Sequence, residues 1–495
     1  MIKRYSLSIR LYENHGLDVI YYISRHNDKL QMTVASRLKY SMIGVVLLTT
    51  PVFGQMPVRT FEKDSLQADA LLMLKNFKEV QVNSYLHISK SELLRKKDSI
   101  FNTIPARVDQ TRAFASLSEI ASLINDAHTY VDNYDPIVES YKKSKVFPLR
   151  IQYKLTDKSL IITNKFSGGG SIKPGAILIS INGYNARQLF QKATGLQGGL
   201  AAYQANEVRN NFPYYLYLFG IHAPFEIAYK QQGRAIQKEI FEGVSYTDYL
   251  IANQLTPISN FSFKLLPNRI GYINFNAMSG LKKFKIFLDS TFITLKTNQA
   301  KGLIVDLRYN GGGNSDLAEL LLSYLTAGAY RLSSGRYFKV SSKYQAFMKA
   351  NYPDQTTAQV VNYLNAKPDS VLYFPYQEKN YMPDNPNRYP IKTAILIGPQ
   401  NLSSATMLAD GAQTYKLAKL IGQPTGAPAN DGGESYSFKL PYTGFEVYTS
   451  STFDIRANGN KNDTIAILPD ISVIEAKSQS KDAILDRAVK WILKN

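Results

Sequence analysis

The stretch IKTAILIGPQNLSSATMLADGAQTYKLAKLIGQPTG, residues 391–426, decides the fold because it changes abruptly from the pattern of a buried strand to that of a helix. Ile391–Ile397 is an apolar run typical of a strand in a parallel sheet, and the Gly-Pro pair after it must end that strand. Ser403 and Ser404 then open a helix, where backbone N–H groups without partners favour negative charge. Capping is the more common role for a serine before a helix, so this turn alone does not establish a nucleophile.

A second stretch, KGLIVDLRYNGGGNSDLAELLLSYL at residues 301–325, repeats the pattern. Its strand, Leu303–Leu307, leads into three glycines, and a helix opened by Asp316 follows. Two βα units are predicted, with glycine-rich backbone at the carboxyl end of a strand, where open α/β sheets bind ligands. The glycines let backbone N–H groups approach a developing oxyanion. A phosphate loop requires GxxxxGK[ST], and Asn314 follows the glycines here, which argues against nucleotide binding.

Composition excludes several other kinds of chemistry. The 495 residues include no cysteine, which rules out disulfides, thiol catalysis and thiolate metal sites. The formal net charge of +19 is spread without a Lys/Arg run longer than three, so basic solvated faces are favoured over a nucleic-acid partner. No HExxH spacing occurs, and we predict neither a metal nor another cofactor.

The segment KYSMIGVVLLTTPVFGQ, residues 39–55, has the layout of a secretory signal. Residues 1–54 are therefore predicted to be a leader and signal peptide, with cleavage after Gly54 and with Met32 or Met42 as alternative starts. The apolar run is too short to span a bilayer. Export to the periplasm or the extracellular space is the prediction, and an uncleaved, membrane-associated anchor is the alternative.

Periodicity divides the rest of the chain. Residues 55–140 are predicted to be a helical N-terminal domain and residues 147–245 a β-rich domain. Residues 262–479 form the predicted α/β core, interrupted by a proline-rich insertion or lid at 330–390. Residues 480–495 are predicted to be a C-terminal helix.

The pairing of LIVDLRYNGGG with NLSSATMLADGAQ, followed by LIGQPTG and by the closing LPDISV, resembles the tail-specific or C-terminal processing serine peptidases, which include the tricorn core protease. The resemblance implies a multidomain α/β fold whose core has a central sheet built from crotonase-like ββα units. GGGSIKPGAILISINGY, within 147–245, resembles a PDZ domain, which implies capture of C-terminal peptides at a sheet edge.

The resemblance also implies roles for single residues. The nucleophile of the family falls on Ser403, although Thr406 replaces the usual glutamate. The lysine branch of the family is disfavoured because Thr414 and Pro428 occupy its expected positions. The tricorn-like branch uses a histidine in a D-x-H-T context, which is His128 here, whereas His87 and His222 lack that context and are interpreted as structural.

The acid of the tricorn-like branch, counted back six residues from Pro469, is Asp463, and Glu434 is the reserve candidate. The oxyanion hole is expected from the N–H of Gly312 or Gly311 together with that of Ser404. The predicted function is an exported serine endopeptidase with protein or peptide substrates and with no nucleic-acid or integral membrane partner. The alternative is a non-catalytic protein that binds peptides or apolar ligands on the same scaffold.

Overall fold

The fold is that of a computed structural model, which describes residues 9–11, 19–21, 59–154, 156–166, 170–252, 259–354, 356–473 and 482–494. The predicted signal segment, 39–55, lies outside these residues. Two short strands, β1 (Ile9–Leu11) and β2 (Val19–Tyr21), pair antiparallel ahead of it. Within the described residues, no helix is long and apolar enough to cross a membrane.

The first part of the chain is helical, as its periodicity predicts. Its elements are β3 (Thr60–Glu62), α1 (Lys63–Val80), α2 (Lys90–Asn102), β4 (Arg107–Asp109), α3 (Gln110–Ser122), β5 (Tyr130–Val131) and α4 (Asp135–Lys143). Met73 and Phe77 of α1 and Leu117 and Ile120 of α3 are buried, because residues three or four apart share one face of a helix.

An antiparallel sheet follows, with the strand order β11-β10-β8-β7-β6 and β9 beside β8. Its elements are β6 (Leu149–Tyr153), β7 (Leu160–Lys165), β8 (Ile177–Ile181), β9 (Tyr184–Asn185), α5 (Ala186–Thr194), α6 (Ala201–Leu218), β10 (Phe225–Lys230), β11 (Ile236–Phe241) and α7 (Tyr246–Ala252). The helices contribute Phe190 and Phe212 to an apolar core that continues into the N-terminal helices. The two N-terminal regions therefore share one core.

The central sheet has the order β12-β13-β14-β17-β18-β21, and all its neighbours are parallel except β12 and β13. This part comprises β12 (Phe261–Leu266), a 3₁₀ turn (Pro267–Arg269), β13 (Ile270–Phe275), α8 (Leu281–Thr297), β14 (Gly302–Asp306) and α9 (Asp316–Ser323). After the segment 330–390 it continues with β17 (Thr393–Ile397), α12 (Ser404–Thr414) and β18 (Lys419–Gly422), and it ends with β21 (Ile471–Ser472) and α13 (Ala483–Leu493).

Helices cover both faces of this sheet. Leu288 of α8, Leu321 of α9 and Leu408 of α12 are buried on one face, and Ile484 and Ile492 of α13 on the other. Strands buried on both faces read as continuous apolar runs, which is why the sequence predicts them well. The predicted α/β class with a central sheet is confirmed.

The proline-rich segment 330–390 contains regular structure of its own, namely β15 (Ser333–Lys339), α10 (Ser342–Asn351), α11 (Ala358–Asn365) and β16 (Val371–Pro375). These strands join β19 (Asp431–Lys439) and β20 (Glu446–Arg456) in a second sheet of order β16-β15-β20-β19. Strand β5 of the N-terminal region also pairs with β20, through Val131 opposite Val447. This pairing attaches the N-terminal helices to the half of the molecule that carries Ser403.

Candidate active site

Ser403 occupies a strained turn between β17 and α12. Its φ and ψ angles are 50° and −131°, a conformation that residues other than glycine rarely adopt. Its hydroxyl makes no capping hydrogen bond to the helix, so capping does not account for this serine. Backbone strain at a half-buried nucleophilic side chain is a feature of functional sites.

A buried asparagine, Asn401, holds this turn in place. Its side-chain oxygen accepts a hydrogen bond from the N–H of Gly398 at 2.8 Å. Its side-chain nitrogen donates to the carbonyl oxygens of Leu307 and Asn310, both in the neighbouring βα turn. The side chain is fully inaccessible, so these bonds are made without competition from water. Nothing in the sequence pattern singled out Asn401.

The glycine loop lies against the serine turn. A Cβ on Gly312 would lie 2.9 Å from the Cβ of Ser403 and 3.1 Å from the nitrogen of Ser404, so a larger residue would force the two turns apart. The Ser404 hydroxyl donates to the carbonyl oxygen of Gly313 at 2.7 Å and closes the contact.

The structure separates the two predicted glycine donors. The N–H of Gly312 donates to the side chain of Asn310 at 2.8 Å. This N–H group is therefore already hydrogen-bonded, whereas no such bond is described for Gly311. Gly311 and Ser404 both line the central cavity next to Ser403. The N–H of Ser404 belongs to the first turn of α12, where backbone N–H groups have no intrahelical acceptor.

His128 reaches the same cavity from the N-terminal region. The central cavity has a volume of about 700 Å³ and is lined by His128, Ser403 and Asp431, among others. The carboxylate of Asp126 accepts the backbone N–H of His128 at 2.9 Å, which fixes the loop after α3. The pairing of β5 with β20 then sets this loop beside β19. His128 and Ser403 therefore line one cavity in the folded chain.

Two carboxylates face the imidazole. Nδ1 of His128 lies 3.5 Å from Oδ1 of Asp126 and 3.9 Å from Oδ2 of Asp431. Nδ1 and the Asp431 oxygen are both buried, and neither has a hydrogen-bond partner within the described residues. Asp431 therefore presents an unpaired acceptor toward the imidazole.

Asp126 accepts several hydrogen bonds, most of them at Oδ2. Besides the His128 N–H, its carboxylate accepts from the hydroxyls of Thr129 at 2.7 Å and Ser450 at 2.6 Å and from the amide of Gln81 at 3.4 Å. The other oxygen of Asp431, in contrast, accepts only the N–H of Gly432, at 2.9 Å.

These surroundings shift the three pKa values in different directions. Burial alone would lower the pKa of His128, but the Asp126 carboxylate, 3.5 Å from Nδ1, and the charge of Asp431 outweigh it and raise that pKa to about 9. Burial opposes ionisation of Asp126, yet its hydrogen bonds lower its pKa below the ordinary value. For Asp431 burial dominates and raises the pKa to about 7, despite the opposing charge of His128.

The predicted acid, Asp463, lies elsewhere. It forms an ion pair with Arg456, which also binds Asp410, and it accepts the N–H of Ile465 at 3.3 Å. It does not line the central cavity and is not among the groups that shift the pKa of His128. Spacing along the chain led to Asp463, whereas in the structure its side chain pairs with a neighbouring arginine outside the cavity lining.

Glu434 does line the cavity, but its carboxylate pairs with Arg336 at 2.9 Å and is more than half exposed. It therefore does not occupy the position of the acid beside His128. His87 lines a small neighbouring cavity of about 50 Å³ together with Asp126, and burial lowers its pKa. His222 packs edge-on against Tyr217, with ring centroids 5.2 Å apart.

One group of described residues has the geometry to hold a metal ion. Asp126, His128 and Asp431 offer ligand atoms that lie within 4.8 Å of one another. Carboxylate and imidazole ligands suit a divalent cation. However, both oxygens of Asp126 are already occupied by hydrogen-bond donors, and the same three groups form a carboxylate–imidazole arrangement that needs no metal.

Comparisons with known proteins concern the family and the fold. Residues 269–473 match the model of peptidase family S41. Among solved structures, mature CPAF complexed with lactacystin aligns with a TM-score of 0.57 at 12% identity over 86% of this chain and 97% of its own. Mature CPAF alone gives 0.56 at 12% identity, over 86% and 96%. The photosystem II D1 C-terminal processing protease gives 0.44 at 12% identity, over 87% and 98%. At these identities the CPAF alignments indicate a shared fold.

Proposed function

We propose that this serine peptidase uses Ser403 as its nucleophile and His128 as its general base, because residues 269–473 match the model of peptidase family S41. The observation that carries this proposal is the position of both side chains in one cavity, with Ser403 on a strained turn whose hydroxyl makes no capping bond. The activity is hydrolysis of internal peptide bonds in protein or peptide substrates.

In the proposed reaction, Oγ of Ser403 attacks the scissile carbonyl while the imidazole of His128 takes the hydroxyl proton. The imidazolium returns that proton to the leaving amine as the C–N bond breaks. Water then attacks the acyl group on Ser403 by the same steps in reverse, and the carboxylic acid product leaves.

We assign the orienting acid to Asp431. Asp126 already accepts four donors, so its role is to hold the loop that carries His128. Asp431 has an unpaired buried oxygen 3.9 Å from Nδ1 of the imidazole. A small side-chain rotation closes this gap to a hydrogen bond, and the carboxylate then stabilises the imidazolium formed during attack.

The oxyanion hole in this proposal consists of the backbone N–H groups of Ser404 and Gly311. Both line the cavity beside Ser403, and the start of α12 adds the positive end of a helix dipole. Donors of this kind, aimed at the developing negative charge, are each worth about 3 kcal/mol of transition-state stabilisation.

Two further parts of the proposal concern location and substrate capture. Export is proposed from the signal-like segment 39–55, and N-terminal sequencing of the protein recovered outside the cytoplasm should find Gln55 first. Capture of a C-terminal tail is proposed at β11, the edge strand of the N-terminal sheet, whose Ile236 and Ile240 are exposed.

A fluorophosphonate probe tests the assignment of the nucleophile. The full chain is labelled and its peptides are mapped, with Ser403→Ala and His128→Ala as test variants and His222→Ala as the matched control. Label on Ser403 that is lost in both test variants and kept in the control supports the proposal. A folded protein that is not labelled at Ser403 contradicts it.

A further inference from the structure

Strand β19 is the last strand of the second sheet, and in the described part of the chain it pairs only with β20. It begins at Asp431, beside the imidazole of His128, and runs along the central cavity. Its residues Ser435 and Ser437 line that cavity together with Ser403. One edge of the second sheet therefore opens into the space that contains Ser403.

A hydrogen bond just beyond β19 identifies the backbone groups that face this edge. The N–H of Leu440 donates to the carbonyl oxygen of Phe445 at 2.9 Å, so Leu440 faces β20. Successive residues of an antiparallel strand direct their N–H and C=O groups to opposite sides, and the register with β20 is continuous over residues 435–439. Ser437 and Ser435 therefore direct their backbone groups away from β20 and toward the cavity.

The pairing of β20 with β5 leads to the same assignment. The carbonyl oxygen of Glu446 accepts the N–H of Asp132 at 2.8 Å, so Glu446 faces β5 and not β19. Lys439, which is opposite Glu446, therefore faces away from β20, and so does Ser437 two residues before it. Among the described residues, neither Ser435 nor Ser437 exchanges a backbone hydrogen bond with an element other than β20.

An open strand edge is a template for another extended chain. Because this edge lines a cavity of about 700 Å³, it can receive a single extended chain but not the sheet of a second folded protein. A strand rises about 3.3 Å per residue, so the edge between Asp431 and Ser437 is about 20 Å long. This length fits a peptide segment of about six residues.

We propose that the substrate binds as an added strand on the open edge of β19, where its backbone exchanges hydrogen bonds with Ser435 and Ser437 and its scissile bond lies at Ser403. This inference rests on the proposed function. Such an edge recognises backbone groups, so it selects extended, unfolded segments and rejects proline at the positions that face β19. The edge lies inside the catalytic cavity and is distinct from the tail-binding edge proposed at β11.

A scan of substrate amides tests these backbone contacts with the wild-type protein. Denatured casein is digested by the full chain, cleavage sites are mapped by mass spectrometry, and a peptide built on one site is N-methylated at one amide at a time. On one side of the cut, kcat/KM should fall about tenfold at alternate amides and change little at the amides between them. A steric effect without strand pairing would not show this period of two.

The variant Ser437→Pro removes one N–H from the open edge, at a position where an edge strand tolerates proline. The ratio of kcat/KM for long peptides to that for peptides shortened on the β19 side should fall about 5- to 10-fold. Lys439→Pro removes an N–H that faces the same way but lies outside the cavity lining, so this matched control should leave the ratio unchanged.

The outcomes separate the inference from the proposed function. Cleavage and probe label at Ser403, without alternation in the N-methyl scan, overturn the inference alone. Equal ratios in Ser437→Pro and Lys439→Pro do the same. Absence of both cleavage and label overturns the proposed function as well.

Discussion

Two carboxylates, Asp126 and Asp431, lie near the imidazole of His128, but they differ in hydrogen bonding and in the direction of their pKa shifts. The Asp126 loop is tied to the second sheet by bonds to Ser450 and, through Thr129, to Thr449. Asp431 opens β19 with one of its oxygens buried and unpaired. The pKa of the first carboxyl is lowered and that of the second is raised to about 7.

The difference between the two carboxylates implies different roles: Asp126 supports the loop that carries His128, and Asp431 acts on the imidazole. The Asp126 carboxylate accepts four hydrogen bonds, three of them at Oδ2, and these bonds hold the backbone of its loop. A buried carboxylate with an unpaired oxygen costs stability, and such groups are found where their charge is used. Each prediction below tests this division of roles, beginning with the largest effect.

The variant Asp431→Asn should lower kcat by about 10³- to 10⁴-fold, because an amide no longer holds and stabilises the protonated imidazole. The free energy of unfolding should stay within about 1 kcal/mol of wild type, since one oxygen of the carboxylate removed is itself buried without a hydrogen-bond partner. Peptide hydrolysis and urea unfolding measure the two quantities. A loss of activity below tenfold would remove Asp431 from the mechanism.

The variant Asp126→Asn should behave in the opposite way and destabilise the protein by about 2–4 kcal/mol, because several buried donors lose a charged acceptor. Activity should fall mainly through displacement of His128. Urea unfolding monitored by circular dichroism provides the measurement, with Asp157→Asn at an exposed turn as the control. Unchanged stability together with abolished hydrolysis would exchange the roles of the two acids.

The pH dependence of kcat/KM should show whether Asp431 influences the pKa of His128. His128 must be neutral to accept a proton, so kcat/KM should rise with pH through the His128 pKa of about 9. In Asp431→Asn, loss of a nearby anion disfavours the imidazolium, and the midpoint of the residual activity should move to lower pH. Rates of the two proteins between about pH 6 and pH 10 test this. A midpoint that does not move would mean that Asp431 does not influence His128.

The smallest effect on catalysis is expected for Asp463→Asn. Its carboxylate pairs with Arg456, away from His128, so kcat/KM should change by less than about threefold, while stability falls by about 1–2 kcal/mol. A loss of activity comparable to that of Asp431→Asn would favour Asp463 over Asp431 as the catalytic acid. The same peptide assay and unfolding curve settle the point.

The parts of the fold that sequence patterns predicted are those with local causes. The runs before Gly398 and before the glycine loop form buried parallel strands, and Ser403 stands at the turn between strand and helix, as predicted. Local periodicity was also sufficient for α1 and α3. His128 was found through its D-x-H-T context, in which Asp126 was visible but was read only as part of a motif.

The sequence pattern did not point to Asp431, the acid that we propose. Asp431 belongs to NDGGES, which reads as a turn, and nothing in its neighbours along the chain signals an imidazole from the N-terminal region. Asn310 and Asn401 were missed because their hydrogen bonds join two separate βα turns.

The sequence by itself determined the α/β core, the glycine loop and the turn that presents Ser403. The periodicity of apolar residues and the positions of Gly and Pro set local structure within a few residues. Only the tertiary structure decided which acid faces His128 and which glycine N–H is available. The pairing of β5 with β20 brings the two halves of the site together, and an arginine holds Asp463 away from it. Long-range packing and ion pairing depend on distances in space, which spacing along the chain does not encode.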